Sequence, residues 1–414
     1  QGRYAEAERE FRAIFEIQRR PESLGEEHPN TLATRHNLAE KIGNQGRHAE
    51  AEREFRALYE IRRQPESLGE EHPDTLATRA NLAQQIGNQG RHAEAEREFR
   101  AIFEIQRQPE SLGEEHPNTL ATRHNLAHQI GNQGRHAEAE REFRALYEIW
   151  RRPESFGEEH PNTLATRHNL AHQIGNQGRY AEAEREFRAL YEIWRRPESF
   201  GEEHPTTLTT RHNLAHQIGK QGRHAEAERE FRALYEIRRQ PESLGEEHPD
   251  TLATRHNLAQ QIGNQGCYAE AEREFRAIYE IERRPESLGE EHPSTLATRH
   301  NLAHQIGNQG RYAEAEREFR AIFEIQRRPE ILGEEHPSTL NARANLAQQI
   351  DRQGRYAEAE REFRAIFEIQ RQPESLGEEH PNTLATRHNL AHQIGNQGRY
   401  AEAEREFRAI FEIQ

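Results

Sequence analysis

The chain repeats itself every 44 residues. The dipeptide Gln-Gly falls at Gln1, Gln45, Gln89, Gln133, Gln177, Gln221, Gln265, Gln309, Gln353 and Gln397. Nine periods leave a remainder of 18 residues, and that remainder, Gln397–Gln414, is identical to Gln1–Gln18. Self-similarity at a fixed period of roughly 20–50 residues marks solenoids, propellers and arrays. Each unit in such a protein contacts mainly its neighbours, so residues 1–414 read as a single repeat array rather than as two or three globular domains.

One unit carries two amphipathic runs. The position after His28-Pro29 reads Asn30, Asp74, Asn118, Asn162, Thr206, Asp250, Ser294, Ser338 and Asn382 down the copies. All are helix N-cap types, so a helix is expected to start there. Leu32, Leu38, Ala39 and Ile42 mark the buried face of this helix A, residues 31–43. Gly43 and Gly46 bracket its end, and one of them is expected in the left-handed conformation that stops helices. Helix B spans residues 48–63, with Ala51, Phe55, Leu58 and Tyr59 on one stripe. Pro65 ends it, and Pro65-Glu-Ser-Leu-Gly69 forms one further turn with Leu68 expected to cap the core. A single helix pair cannot bury both stripes, so stacking supplies the core. The fold class is an all-α solenoid of helix-turn-helix repeats.

Only 33% of residues are hydrophobic and the mean hydropathy is −1.15, close to the disordered range. The strict helical spacing of the apolar residues decides for order. Acidic excess, 72 Asp and Glu against 57 Lys and Arg for a net charge of −15, argues against nucleic-acid binding, which needs a basic footprint. No run of about 18 apolar residues occurs, so no membrane span is expected. The single Cys267 stands where other copies have Arg47, Arg91 or Arg135, and alone it makes no internal disulfide. No Ser/His/Asp, Cys/His or phosphate-loop arrangement is present, which points away from an enzyme and from any cofactor. The chain begins in mid-unit, as expected of an excerpt from a longer protein.

The run Asn37-Leu38-Ala39-x-x-Ile42-x-x-Gln45-Gly46-Arg47-x-x-Glu50-Ala51-x-x-x-Phe55 resembles the tetratricopeptide repeat signature. Its Leu-Gly-Glu-Glu-His-Pro-Asn-Thr-Leu linker is similar to that of the longer kinesin light chain repeats, and to arrays at the C-terminal ends of bacterial signalling ATPases. The resemblance implies a right-handed superhelix whose helix A faces line a concave groove for peptides or partner helices. The departures are the 44-residue period, Arg35 in place of an early Trp, and the bulky sequence Ala57-Leu58-Tyr59 in helix B.

Carried over, the groove positions are Ala33, His36, Asn37, residue 40 and Asn44. Stacking turns them into columns. One is an Asn ladder of Asn37, Asn81, Asn125, Asn169, Asn213, Asn257, Asn301, Asn345 and Asn389. An amide both donates and accepts, which suits a peptide backbone, although satisfying the neighbouring unit's backbone is the plainer use. Beside it run His36, His124, His168, His212, His256, His300 and His388, interrupted by Ala80 and Ala344. Pairs such as His124/His128 and His300/His304 have chelating i, i+4 spacing, but no further ligand accompanies them and no metal is assigned. A second reading has these His change groove affinity between about pH 5 and 7.5. Trp150 and Trp194 occur only in the copies carrying Phe156 and Phe200, and each pair is expected to pack together.

The sequence thus points to a non-enzymatic scaffold, cytoplasmic, binding a protein or peptide. The alternatives are a ligand-sensor array of a nucleotide-switch protein and a structural solenoid that self-associates through its end half-units.

Overall fold

A computed structural model of the chain describes residues 2–413, which form helices joined by tight turns, with no strand among the described residues. Helix A of successive copies is α2 (Pro29–Gly43), α4 (Pro73–Asn88), α6 (Pro117–Asn132), α8 (Pro161–Asn176), α10 (Pro205–Lys220), α12 (Pro249–Asn264), α14 (Pro293–Asn308), α16 (Pro337–Arg352) and α18 (Pro381–Asn396). Helix B is α1 (Gly2–Gln18), α3 (His48–Arg62), α5 (His92–Gln106), α7 (His136–Trp150), α9 (Tyr180–Trp194), α11 (His224–Arg238), α13 (Tyr268–Glu282), α15 (Tyr312–Gln326), α17 (Tyr356–Gln370) and α19 (Tyr400–Ile413). The helices group into two compact units, residues 1–217 and 218–414.

Helix A starts two residues earlier than the cap-type residues suggest. His28 is the cap: its backbone is extended, and its Nδ1 accepts the Asn30 N–H at 3.2 Å. Pro29 occupies the first helical position, where its fixed φ fits and its missing N–H costs nothing. The same ring-to-backbone bond recurs at His72, His116 and each later copy.

The two glycines at the turn do different work. Gly46 takes the left-handed conformation at φ 82°, and the chain turns there. Gly43 is helical, and a Cβ on it would lie 2.9 Å from Gln85 Oε1 of the next copy. Its hydrogen is what lets consecutive helix A ends approach. Downstream of helix B, Gly69 at φ 88° donates its N–H to the carbonyls of Arg62 and Gln64, both at 3.0 Å. That closure turns Leu68 outward, 39% exposed, so it does not cap the core. Thr75 fills the space instead; it is fully buried and its hydroxyl donates to the Arg62 carbonyl.

The core is the same in every copy. Ile42, Ala39, Ala51, Phe55 and Leu58 are all buried, and Phe99, Phe143, Phe187, Phe231, Phe275, Phe319 and Phe363 repeat the Phe55 position. Burial of each such large apolar side chain stabilises by about 1.5–3 kcal/mol. Arg35, standing where a Trp is usual, bridges copies: its Nε bonds Glu54 Oε2 at 2.9 Å and its guanidinium lies 5.5 Å from the centre of the preceding Phe15 ring.

A charged clamp joins each copy to the next. Glu52 is 9% exposed and receives Arg56 Nη2 at 2.8 Å from its own helix. The following turn adds Gln89 Nε2 and Arg91 Nη1, both at 2.7 Å from Oε2. Burial alone would raise the pKa of this carboxyl, but the hydrogen bonds from Arg56, Gln89 and Arg91 outweigh it and the net shift is downward. Glu96, Glu140, Glu272 and Glu316 are held in the same way. The Gln-Gly-Arg run that marks the repeat phase is therefore an inter-unit contact. At Cys267 the Arg is missing, and Glu228 keeps Gln265 at 2.7 Å but has 24% of its side chain exposed, against 11% for Glu52.

Restoring that Arg should strengthen the array. Cys267→Arg is expected to stabilise by about 0.5–1 kcal/mol, and Arg135→Cys to destabilise by about 1 kcal/mol by taking a charged donor from a buried carboxylate. Urea unfolding of the two variants beside the parent checks both signs.

Candidate functional site

The exposed side of helix A carries the columns singled out in the sequence, and the His rings among them are packing groups. His36 lies edge-on to Phe55, with ring centres 5.4 Å apart. His124, His168, His256, His300 and His388 repeat this contact with Phe143, Phe187, Phe275, Phe319 and Phe407 at 5.1–5.3 Å. Only the last, His388, is exposed.

The Asn ladder meets this His column from the following copy. Asn81 Nδ2 lies 3.3 Å from His36 Nε2, and Asn169, Asn213, Asn301 and Asn345 stand 2.8–3.2 Å from the same atom of His124, His168, His256 and His300. With the amide nitrogen facing the ring, Nε2 accepts, so these rings are neutral. His212 and Asn257 occupy the corresponding positions in their copies and are half-buried. The ladder breaks where His is replaced: Ala80 and Ala344 precede Asn125 and Asn389, whose amides meet no hydrogen-bond partner among the described residues, as is true of Asn37 at the first copy. Pairing between neighbours, not with the backbone, is thus the structural use of the ladder, and it leaves Asn125 and Asn389 available.

The aromatic pairs form as expected. Trp150 meets Phe156 edge-on at 6.1 Å and lies over His124 at 5.9 Å, while Trp194 stands 6.4 Å from Phe200. Both Trp are buried, at 6% and 3% exposure. The i, i+4 rings also touch, His124 with His128 at 5.1 Å and His300 with His304 at 4.7 Å. No cluster of three metal-ligating side chains occurs among the described residues, and no described helix is long and apolar enough to cross a membrane.

Between consecutive A helices, clefts open beside the N-terminal halves. One lies at Pro117, Leu120, Ile149 and Phe156 with a volume of about 290 Å³. Its counterpart at Pro249, Leu252, His256, Glu282 and Leu288 measures about 410 Å³, and that at Pro293, Leu296, His300, Gln326 and Ile331 about 830 Å³. The floor position of the two larger clefts is the last residue of helix B, Glu282 and Gln326. It reads Gln18, Arg62, Gln106, Trp150, Trp194, Arg238, Glu282, Gln326 and Gln370 through the copies. It bonds the Thr of the following helix A: Arg62 Nη1 donates to Thr78, Arg238 Nη1 to Thr254, and the Thr122 hydroxyl to Gln106 Oε1, each at 2.7 Å. At Glu282 burial raises the carboxyl pKa, more than the Thr298 hydrogen bond lowers it. Reading helix patterns alone misses this column. Its signal is variation: the position changes chemistry from copy to copy, as residue 40 and its equivalents also do, while the buried stripe stays nearly constant.

Burial lowers the pKa of His124, His168 and His304 to about 4, with added repulsion from His128, His172 and His300 respectively. Such groups regain an ordinary pKa of about 6.5 on unfolding. The unfolded chain then binds more protons between about pH 6.5 and 4, so their contribution is complete above 6.5 and is lost as the pH falls toward 4. The thermal unfolding midpoint is expected to drop over that window. The double variant His124→Ala, His168→Ala should show a shallower drop; a parent midpoint that stays flat from pH 7 to 4.5 would contradict the assignment.

A tetratricopeptide repeat family model matches residues 1–64, 169–240 and 294–372, and a second tetratricopeptide repeat model matches 76–101, 120–145 and 384–409. No curated protein matches the chain. Among solved structures, a kinesin-light-chain-like protein from Podosopora anserina with nearly identical TPR-like repeats is 31% identical, over 51% of this chain and 96% of that one, with a TM-score of 0.46. The apo quorum sensor NprR from B. thuringiensis shares 11% identity over 93% of this chain and 99% of its own, with a TM-score of 0.59. Apo RapI shares 13% over 92% and 97%, with a TM-score of 0.57. These two likenesses are of fold. With one repeat model matched over more than half of its length, the chain belongs to the tetratricopeptide repeat family.

Proposed function

We propose that this chain is a non-enzymatic scaffold that binds an extended peptide or protein segment along its helix A faces. The observation that carries the reading is the variable floor of the clefts. Residues that hold the fold, such as Phe55, Glu52 and Arg35, recur almost without change, while the last residue of helix B, which lines the two larger clefts as Glu282 and Gln326, switches among Gln, Arg, Trp and Glu from copy to copy. A purely structural stack gains nothing from such changes at one buried position, whereas a surface that reads successive residues of a ligand needs them. Clefts of about 290–830 Å³ fall near the size range of small-ligand sites and accept single side chains.

The polar columns would then contact the ligand backbone. Asn125 and Asn389 supply free amides where the His column is interrupted, and the remaining members, from His36 and Asn37 to His388, form the wall between them. Most of the His are neutral and engaged, so ligand affinity is expected to vary little between about pH 6 and 8.

Peptides selected from a displayed random library against the whole protein test the reading. Asn125→Ala, which leaves the paired members of the ladder intact, should weaken a selected peptide by about fivefold or more, the effect of one lost hydrogen bond, without altering the helical circular dichroism. Peptides that bind the variant and the parent equally, or a library that yields none, would sink it.

A further inference from the structure

The copy containing α16 departs from the others at one surface. Ile331 replaces Ser and Asn341 replaces Ala in the lining of one cleft, and Ala342, next to Asn341, replaces the Thr of the other copies. The cleft between α14 and α16 is also larger than the other two clefts described above, about 830 Å³. Leu296, Ala297, Ile331 and Leu332 form an apolar part of its lining, beside Glu291 and Glu330.

Two polar groups are left open on this wall. Gln326 Oε1 is buried and meets no donor of the chain. In the copy with Gln106 the Thr122 hydroxyl supplies that donor at 2.7 Å, but here Ala342 has no hydroxyl. Gln18 and Gln370 also have an unmet Oε1, yet each has a Thr at the corresponding position, Thr34 and Thr386. Only at Gln326 is the donor deleted outright. Across the cleft, Asn341 Oδ1 accepts Asn345 Nδ2 at 2.8 Å. This fixes the Asn341 carboxamide by its oxygen and leaves its N–H groups without an acceptor. A donor and an acceptor held beside an aliphatic pocket match a peptide amide and its neighbouring side chain.

We infer that the cleft between α14 and α16 is a specificity pocket for an aliphatic residue of a peptide, its flanking amide held between Asn341 and Gln326. The inference rests on the reading of these clefts as peptide sites. The aliphatic side chain covers Ile331 and Leu332, its amide N–H donates to Gln326 Oε1, and its carbonyl accepts from Asn341 Nδ2. Three departures act together: Ile331 and Asn341 add the apolar wall and the donor, and Ala342 removes the hydroxyl that Gln106 receives in its copy.

N-acetyl-L-leucine amide is the probe, with N-acetylglycine amide as its control, both titrated against the full protein by saturation-transfer NMR. The leucine amide should bind with a dissociation constant on the order of 1 mM, as a ligand of its size allows, and the glycine amide should bind at least about fivefold more weakly. Ala342→Thr restores the residue of most other copies, so it keeps the fold while supplying Gln326 with a hydroxyl; it should weaken the leucine amide by about fivefold or more. Ile331→Ser should do the same through the wall. Equal binding to parent and Ala342→Thr, or no difference between the two amides, overturns the pocket. If library peptides bind the array through Asn125 while the leucine amide does not bind, the pocket fails and the scaffold reading stands. Leucine amide bound at this cleft with no peptide captured elsewhere leaves the reverse.

Discussion

Everything else in this chain depends on the contact between one helix pair and the next. A single pair leaves Phe55, Leu58 and Ile42 half covered, and a chain with 33% hydrophobic residues has little apolar surface to spare. The junction therefore combines three devices within a few residues. Gly43 removes a side chain so that the neighbouring Gln85 can close in, the Gln89-Gly90-Arg91 turn grips Glu52, and Arg79 of the next helix A covers Tyr59 at 5.6 Å. The clamp is partly buried and its carboxylate meets several donors at once, so it retains value that an isolated surface ion pair would lose to solvent. It also fixes the phase of stacking, since a slipped copy would bring an unpaired carboxylate against the turn.

That junction sets what the helix A face can offer. The His rings lean on the Phe of their own copy and receive the Asn of the next, which converts a column of ionisable groups into a neutral, ordered wall. A polar surface with its hydrogen bonds already made is a weak recognition element. Recognition passes to the places where the pattern lapses: the amides opposite Ala80 and Ala344, and the clefts whose floor changes identity.

The repeat, the helix pairs, the buried stripe and the family were legible from sequence because they follow from periodicity. The helix starts two residues before the expected position because Asn30 and His28 are both capping groups, and Pro29 settles the choice in favour of His28. Leu68 looked like core because it is the one apolar residue of the linker; the left-handed Gly69 turns it to solvent. The columns were found in sequence, but the register that puts Asn81 against His36 depends on the inter-unit approach, which no single-copy pattern encodes. The floor residue was hidden for a different reason. Trp150 and Trp194 stand out as single aromatics, whereas the position carries its signal only across all the copies together.

The identity of the junctions has a consequence for how such a chain can change. Because most copies meet their neighbours through the same Gly, Gln, Glu and Arg, with Cys267 and Asp351 the exceptions, a whole 44-residue segment can be lost or gained with both new junctions already complementary. Such an event leaves the scaffold sound and rewrites only the order of Gln, Arg, Trp and Glu beneath the clefts. Length and vocabulary are thereby separated from stability, and a new ligand preference is reachable in one step without passing through an unfolded intermediate sequence.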